Sequence, residues 1–444
     1  MTIKVVHLSN FDVALNIHLK NYMCYLREQR YDVRIICNPG QFLKGDTITE
    51  YGIPVKAIPF SNRYAPWDDL KTLVQLYRYF RQERFDIVHT HTVKPGLLGR
   101  LAARLAGVPV VIHTVHGFHI WDTMSAPEIR LMIGIERFAN HFCDLLLSQN
   151  REDMAYAVKH RICSSEKIHF LGNGIDLTQF HPQRVCPEQI AAKRQELGLD
   201  PDEPVVGMIG RLVQLKGYHE YVAAARILKD RGERVRFLAI GAAQKGKAEA
   251  LSPQDLIAQQ EVEDRVLVLG VRQDVPELLA MMDVVVLASY AEGIPRILLE
   301  AAAMGRPSIG TDVRGTREVI VDGVTGRLIP IHNASALADA ISRLCADKAQ
   351  AQKMGMAARA HAEANFDERF HFWRTDAEYR RLIMQKLASN RILELQSLPT
   401  AAASVLTPSV SIGGKQNGNG NDGIPARDGP AKARPSPFLP PRYY

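Results

Sequence analysis

Two glutamates, Glu292 and Glu300, are separated by seven residues and flank the expected start of a helix. Pro295 marks that start, because proline fits best in the first turn of a helix. The free N–H groups of a helix N-terminus can bind a diphosphate. Glu300 can accept hydrogen bonds from neighbouring hydroxyls such as those of a ribose, and Glu292 precedes the helix, nearer a sugar on the diphosphate. The pattern indicates a nucleotide-sugar site; the alternative is an amphipathic helix with two incidental glutamates.

Two cations lie in a turn that is bounded by Gly210 and Gly217. Arg211 and Lys216 follow a predicted strand, and ligands of open parallel sheets bind at the carboxyl ends of the strands. Both side chains can converge on one diphosphate and neutralise the charge that develops on a leaving group. The alternative is a pair of solvent-facing loop cations.

Three histidines, His113, His116 and His119, stand at the end of a predicted strand in the first half of the chain. His116 precedes Gly117 and is placed to face a cleft and to bond a sugar hydroxyl, although a structural role is the alternative for any one of the three. Zinc is a further alternative for His113 and His119. The sequence predicts no metal site, because Asp and Cys partners at ligand spacing are absent there.

His91 ends another strand of the same predicted sheet and is followed by Lys94. Their position at a strand end places both on the expected acceptor side of the cleft, with a structural role as an equal alternative. We assign His119 and Asp12, in the turn after the first strand, to the same side.

The elements that position these residues are strands and helices that alternate along almost the whole chain. Such alternation is typical of βαβ units. The first series has predicted strands at Ile3–Ser9, Val33–Asn38, Val55–Pro59, Asp86–Thr90, Val108–His113, Leu145–Ser148 and Lys167–Gly172. The second has them at Pro204–Ile209, Val235–Ile240, Arg265–Leu269, Asp283–Ala288, Pro307–Thr311 and Gly326–Ile329. Two series of similar size predict an α/β protein with two Rossmann-like, doubly wound domains that face a central cleft.

The predicted domains are an N-terminal acceptor-binding domain at 1–175 and a C-terminal nucleotide-sugar-binding domain at 204–365. Loop sequence at 176–203 is expected to link them. An aromatic-rich helix at 366–390 is expected to return to the first domain. Residues 391–444 are rich in Pro and Gly, which predicts a disordered tail.

The composition is that of a globular protein, with 46% hydrophobic and 23% charged residues. Most of the net charge of +7 lies in residues 1–170, which favours an anionic membrane surface or a phosphorylated acceptor, with an ordinary solvated surface as the alternative. The sequence contains no basic run, so it does not indicate binding to nucleic acid.

Six scattered cysteines without a CxxC pair indicate free thiols in a reducing compartment. Without a signal peptide or a long apolar run, we expect a cytoplasmic protein, or one that is peripheral on the inner membrane face.

These motifs together resemble a retaining glycosyltransferase of family 4 with the GT-B fold, of the polysaccharide or lipid-linked oligosaccharide type. The resemblance covers residues 3–390 and includes HTHTVKPGLLGRLAARLAG at 89–107 and HTVHG at 113–117. It implies a nucleotide-sugar donor, most often a UDP-sugar, on the second domain and an acceptor on the first. It also implies that neither a metal nor a cofactor is needed.

The resemblance also assigns roles to single residues. Glu300 would hold the ribose, and Arg211 and Lys216 the diphosphate. Glu292 would meet the donor sugar and phosphates together with 293–295, which are Gly293, Ile294 and Pro295. His116 would face the reacting centre.

The turn after the first strand departs from the family pattern. Many members have a Gly-Gly turn there, whereas this chain has the bulkier and more acidic Phe11 and Asp12.

The sequence therefore predicts front-face transfer, with retention, of a hexose or N-acetylhexosamine to a saccharide or lipid-linked saccharide. One alternative is a nucleotide-sugar epimerase of the same fold, and another is a non-catalytic sugar-nucleotide-binding protein. An NAD-dependent oxidoreductase is disfavoured, because no GxGxxG follows the first strand.

Overall fold

A computed structural model describes most of the chain. The described residues are 2–10, 20–39, 52–61, 65–118, 120, 124–242 and 251–387. The predicted tail at 391–444 lies outside them, as do the predicted site residues Asp12 and His119.

The N-terminal half forms one parallel sheet of seven strands, in the order β3-β2-β1-β4-β5-β6-β7. Its strands are β1 (Lys4–Leu8), β2 (Asp32–Cys37), β3 (Val55–Ala57), β4 (Ile87–His91), β5 (Val110–Val115), β6 (Leu145–Ser148) and β7 (Ile168–Phe170). All residues of β4, β5 and β6 are buried, as expected for strands that are covered on both faces.

The C-terminal half forms a second parallel sheet of six strands, in the order β10-β9-β8-β11-β12-β13. Its strands are β8 (Val205–Ile209), β9 (Arg236–Ile240), β10 (Val266–Gly270), β11 (Val284–Leu287), β12 (Ser308–Thr311) and β13 (Gly326–Ile329). In both sheets the strand order reverses beside the first strand of the series, which is the switch point where open α/β sheets bind ligands.

Helices connect the strands and cover both faces of each sheet. In the first half they are α1 (Lys20–Glu28), α2 (Pro66–Glu83), α3 (Val93–Ala106), α4 (Ala126–Asn140) and α5 (Arg151–Lys159). The later helices are α6 (Pro187–Glu196), α7 (Tyr218–Asp230), α8 (Pro253–Gln259), α9 (Val275–Met281), α10 (Arg296–Ala303), α11 (Thr316–Val319), α12 (Ala334–Ala346), α13 (Lys348–Asn365) and α14 (Glu368–Lys386).

The core of each domain is split by its sheet into two apolar layers. In the first sheet, Val6 and Val88 belong to one cluster, whereas their neighbours Val5 and Ile87 belong to the other. This alternation follows from the two-residue period of a strand. The prediction of two Rossmann-like domains is therefore confirmed.

The last described helix returns to the first domain, as predicted. Phe372, Tyr379 and Ile383 of α14 join the cluster that contains Val5. The chain crosses between the domains twice, and the two crossings are hydrogen-bonded, since the Ile175 N–H donates to the Phe366 carbonyl (2.8 Å). The helix begins at Glu368 because the Asp367 side chain accepts from the N–H of Arg369.

The expectation of a plain loop at 176–203 is wrong, because helix α6 occupies part of it. None of its residues is buried, so no apolar periodicity marked it. Its Lys193 pairs with Asp274 (2.8 Å) in the second domain. The sequence signals were Pro187 at its start and Gln189, whose side chain accepts from the N–H of Cys186.

Candidate active site

A cavity of about 420 Å³ lies between the two domains, at the carboxyl ends of strands from both sheets. The first domain contributes residues that follow β4 and β5, and the second contributes residues that follow β8 and β11. The lining residues are Thr92, Val93, His113, Thr114, Val115, His116, Gly117, Phe118, Ile120, Met132, Glu136, Arg211, Leu215, Lys216, Ala291, Glu292 and Gly293. Four residues that the sequence singled out for chemistry, His116, Arg211, Lys216 and Glu292, thus meet in one cavity.

The turn after β8 places both predicted cations at this cavity. Gly210 continues the strand pairing, with its N–H bonded to the Ile240 carbonyl (2.8 Å). Gly217 ends the turn with a φ of +74°, and a Cβ there would lie 2.1 Å from the Ala288 carbonyl oxygen. Because only glycine fits at 217, the turn holds Lys216 close to the end of β11.

Lys216 and Glu292 form an ion pair in the cavity, with only 15% and 11% of their side chains exposed. Desolvation makes such a pair costly to break by removing one partner. The Lys216 ammonium is therefore already paired with the Glu292 carboxylate, at the place where the sequence predicts a diphosphate.

Gly293 brings the backbones of the two domains into contact. A Cβ on Gly293 would lie 1.9 Å from the His116 carbonyl oxygen, and one on Gly117 would lie 2.9 Å from the Gly293 Cα. Asn150 of the first domain donates a hydrogen bond to the Gly293 carbonyl (3.3 Å). The structure is therefore closed at this point.

The helix expected after Glu292 is α10, and Pro295 is its N-cap residue rather than its first helical residue. The Ile294 side chain is buried in the second-domain core. Only the backbone of 293–295 can therefore face a ligand. The first N–H groups of α10 lack intrahelical partners, as at any helix start.

Glu300 is not among the residues that line the cavity. Its carboxylate lies 3.8 Å from the Arg296 guanidinium, which also donates to the Gly174 carbonyl (3.3 Å). Burial raises the pKa of Glu300, and the nearby Arg296 opposes that shift. The role of Glu300 at a ribose stays a prediction.

A second cavity of about 480 Å³ opens at the carboxyl ends of β8, β9 and β10. Its lining residues are Leu212, Gly241, Ala242, Gln254, Val268, Leu269, Gly270 and Val271. The adjacent residues Arg211 and Leu212 line different cavities, so the turn after β8 borders both.

His116 is exposed to the cavity, whereas His91 lies buried behind it. The two rings are joined by a hydrogen bond between His116 Nε2 and His91 Nδ1 (3.0 Å). Lys94, which was also predicted on the acceptor side, pairs with Asp69 (2.7 Å). Neither His91 nor Lys94 lines the cavity, and their acceptor-side role stays a prediction.

A buried ion pair at the cavity wall was not predicted. Arg100 of α3 is fully buried and bonds Glu136 of α4 (3.2 Å), and Glu136 lines the cavity. Glu136 shares the buried face of its helix with Ile133 and Ala139. An acidic residue within an apolar helical stripe was the signal that could have revealed it.

A group of three histidines was also not predicted. The ring nitrogens of His7, His89 and His91 lie within 4.8 Å of one another, close enough to hold a metal ion. His7 lies within β1, beside His89 of β4, so its neighbours could be identified only once the strand order was known.

Ion pairs between the start of α5 and the residues around α11 join the two domains next to the cavity. Arg314 contacts the buried Asp153 (3.2 Å), whose pKa is raised by burial. Arg317 pairs with the more exposed Glu152 (2.7 Å). The N–H of Arg151 donates to Glu318 (2.6 Å).

Two family models match the chain, one for each domain. Residues 15–179 match Glycosyltransferase Family 4, and residues 189–361 match Glycosyl transferases group 1.

Named relatives and solved structures agree with these matches. The chain is 31% identical to the Escherichia coli UDP-Gal:alpha-D-GlcNAc-diphosphoundecaprenol alpha-1,3-galactosyltransferase, over 73% of this chain and 82% of that protein. It is 26% identical to the Staphylococcus aureus capsular polysaccharide biosynthesis glycosyltransferase CapM, over 85% of this chain and 96% of CapM. The fold is similar to that of Anabaena Alr3699/HepE, solved with UDP and glucose (TM-score 0.73, 22% identity, 85% of this chain and 99% of that chain).

The chain therefore belongs to glycosyltransferase family 4 and has the GT-B fold. It is a glycosyltransferase, as the resemblance of its motifs predicted.

Proposed function

We propose that this enzyme moves a hexose or N-acetylhexosamine, with retention and without a metal ion, from a UDP-sugar to a lipid-linked saccharide in cell-surface polysaccharide synthesis. The observation that carries the proposal is the meeting of Arg211, Lys216, Glu292 and His116 in one interdomain cavity. Cations, a carboxylate and an imidazole are the groups that a charged leaving group and sugar hydroxyls require.

The donor diphosphate would bind Arg211, Lys216 and the N-terminus of α10. To reach Lys216, it must replace the Glu292 carboxylate that now pairs with that ammonium. The displaced Glu292 is then free to accept hydrogen bonds from the donor sugar. Binding of the donor thus turns one internal ion pair into two contacts with the substrate.

In the transfer step, the bond between the sugar and the diphosphate breaks while negative charge grows on the leaving phosphate. Arg211, Lys216 and the α10 amides stabilise that charge. The acceptor hydroxyl enters on the face that the diphosphate leaves and gives its proton to a phosphate oxygen. His116 orients a sugar hydroxyl at the reacting centre.

The choice of UDP is supported by the name of the Escherichia coli relative and by the structurally similar Anabaena protein solved with UDP. We assign the base to the second cavity, because the Arg211–Leu212 turn borders both cavities. A diphosphate at Arg211 would leave the sugar on one side of this turn and the nucleoside on the other.

A thermal-shift screen against UDP, GDP, ADP and their sugars, with and without EDTA, tests the donor. A ligand at 100 times its dissociation constant stabilises the protein by about 2.7 kcal/mol. We expect a shift with UDP compounds that survives EDTA. A shift with another nucleotide alone, or one that EDTA abolishes, would contradict the proposal.

The transfer itself is tested by incubating a UDP-hexose with a lipid-linked N-acetylhexosamine. We expect a product whose new linkage has the anomeric configuration of the donor, as read by NMR. An inverted product would refute retention. Conversion of the donor sugar without acceptor would favour an epimerase.

We also propose that the outer face of α2 binds an anionic membrane, where a lipid-linked acceptor would be found. Trp67 is 78% exposed and Leu70 49% exposed, and Val74 and Tyr77 continue the same face at helical spacing. Lys71, Arg78 and Arg81 share this exposed side. Among the residues that the structure describes, no helix combines the length and apolarity needed to span a bilayer.

Apolar side chains mixed with cations are typical of helices that lie in a membrane interface. We call Trp67, Leu70, Val74 and Tyr77 the α2 stripe. The helix follows β3, so its N-terminus lies at the carboxyl edge of the sheet, and its Asp69 pairs with Lys94, which follows Thr92 of the cavity wall. A membrane at the α2 stripe would therefore lie beside the cavity.

Vesicle co-sedimentation tests the α2 stripe, using phosphatidylcholine with and without phosphatidylglycerol. We expect binding to the anionic vesicles, weakened by at least about tenfold in a Trp67→Ser/Leu70→Ser variant. Met356→Ser, which alters an exposed apolar residue of α13, is the matched control. A wild-type dimer that the double substitution dissociates would instead assign the stripe to a second copy of the chain.

A further inference from the structure

A line of hydrogen-bonded side chains runs from His116 into the interior of the first domain. His116 Nε2 meets His91 Nδ1 (3.0 Å), and His91 Nε2 meets His7 Nδ1 (3.0 Å). His7 Nε2 meets the hydroxyl of Tyr379 (3.2 Å). The line therefore connects the cavity to the returning helix α14.

The same tyrosine hydroxyl continues the line to the end of β5. It also meets His89 Nδ1 (2.6 Å), and His89 Nε2 meets the Thr114 hydroxyl (2.6 Å). We call His116, His91, His7, Tyr379, His89 and Thr114 the imidazole chain. His7, His89, His91, Thr114 and Tyr379 are all 3% exposed or less.

The buried rings are neutral. Burial lowers the pKa of His7 to about 3, and it also lowers the pKa of His89 and of His91, with the neighbouring histidines acting in the same direction. A neutral imidazole carries one N–H and one acceptor nitrogen. Each ring of the imidazole chain must therefore donate on one side and accept on the other.

This requirement orders the whole imidazole chain. Tyr379 has one hydroxyl hydrogen to give to one of its two imidazole neighbours. If it donates to His89, then His89 donates to Thr114, His7 donates to Tyr379, and His91 donates to His7. His91 then accepts from His116, and every proton is on Nε2. If Tyr379 donates to His7 instead, every bond is reversed, and every proton is on Nδ1. Hydrogen bonds in such a row polarise and strengthen one another.

We propose that His7, His89, His91 and Tyr379 are positioning residues that fix the ring orientation and the tautomer of His116. His116 Nε2 meets His91, so the imidazole chain decides whether the other ring nitrogen of His116, Nδ1, is an acceptor or a donor. The Gln149 side chain, which lies near the His116 ring, can offer either an amide oxygen or an N–H group and suits both orders. The returning helix thereby supplies part of the active site. The inference about catalysis rests on the proposed function of His116.

A metal ion at His7, His89 and His91 is the other use that these side chains could have. Each of their ring nitrogens already has a hydrogen-bond partner in the imidazole chain. A metal would need to replace several of these hydrogen bonds at once. The geometry therefore favours ordered protons over a bound ion.

The tautomers can be read by NMR on protein labelled with ¹⁵N-histidine at pH 8, with signals assigned from single His→Asn variants. We expect His7, His89, His91 and His116 to carry the proton on the same type of ring nitrogen. A mixture of tautomers, or a doubly protonated ring among the buried three, would overturn the proposal. One equivalent of bound zinc in elemental analysis would also overturn it.

Activity tests the positioning role with Tyr379→Phe, which leaves His7 and His89 each without one partner. We expect kcat to fall about tenfold, the factor that one hydrogen bond is worth, with the donor KM changed less than about twofold. The matched control is Tyr31→Phe, which removes the bond from Tyr31 to Asp376 (2.7 Å) of the same helix but keeps the ring that packs against Tyr379 and every hydrogen bond of the imidazole chain. Equal losses of kcat in both variants would overturn the positioning role. The NMR pattern is read without substrates and thus stands or falls independently of the proposed transfer reaction.

Discussion

At the scale of single residues, charge balance governs the cavity. Lys216 and Glu292 are both largely desolvated, and each is tolerable there because the other neutralises it. A diphosphate that binds Lys216 restores this balance when it displaces Glu292. The ion pair thus holds the cation in place before the donor arrives, and the ammonium has an anionic partner both before and after the exchange.

We predict that Lys216→Ala lowers kcat by about 10²–10³, because it removes one group that stabilises charge in the transition state. Turnover of a UDP-sugar measures the effect, and circular dichroism checks the fold. Lys229→Ala, which breaks an ion pair with Asp264 (2.6 Å) on the surface of the same domain, is the control and should retain activity. Near wild-type turnover by a folded Lys216→Ala variant would remove Lys216 from the proposed mechanism.

At the scale of elements, α5 and the residues around α11 form one of the contacts that hold the two domains together beside the cavity. Arg314 lies over the Tyr156 ring (4.9 Å) and reaches Asp153, of which only 3% is exposed. Arg317 and Glu152 are each more than a third exposed. Burial makes the first pair the stronger determinant of closure, because water cannot replace Arg314 beside Asp153.

Substitution of the two arginines should therefore have unequal effects. We expect Arg314→Ala to destabilise the closed form by about 3 kcal/mol, the lower end of the range for a buried pair, and Arg317→Ala by about 1 kcal/mol or less. Small-angle X-ray scattering should show a larger radius of gyration for Arg314→Ala only. Equal radii for the two variants would show that burial of Asp153 does not control closure.

At the scale of the whole molecule, the buried imidazoles of the first domain make its stability depend on pH. The unfolded chain protonates His7 below the ordinary pKa of 6.5, whereas the folded protein does so only near 3. Between these values the unfolded state binds more protons, so stability falls as the pH falls. His89 and His91 act in the same direction. The buried carboxyl of Asp153, whose pKa is raised, acts in the opposite direction at lower pH.

We predict that the free energy of unfolding is constant above about pH 7 and falls steadily toward pH 5. At pH 5 each buried imidazole lowers the free energy of unfolding by about 2 kcal/mol, since one pKa unit corresponds to about 1.4 kcal/mol. Urea unfolding at several pH values measures the slope, and His7→Asn should make it shallower. A wild-type stability that does not change between pH 7 and pH 5 would contradict the neutral, buried state of these rings.

The sequence by itself determined the fold class and singled out four of the residues that meet in the cavity. Apolar strand runs and helical periodicity are local signals, and they placed 13 strands close to where the structure has them. Glycine-bounded turns and a helix-starting proline are also local, so Arg211, Lys216 and Glu292 could be singled out without coordinates. Parallel strands then bring their carboxyl ends together by geometry alone.

Only the tertiary structure decided which of these residues pair with one another and which are buried. The bond between Tyr379 and His89 joins residues that are 290 positions apart, and the contact between Gly293 and His116 joins two domains. Glu300 was singled out from its spacing, but its contact with Arg296 could be seen only in the structure. Such contacts depend on the strand order, on the return of α14 and on domain closure. The return of α14 was predicted from the sequence, but the partners of its side chains were not, because each contact results from packing between segments that are far apart in the chain.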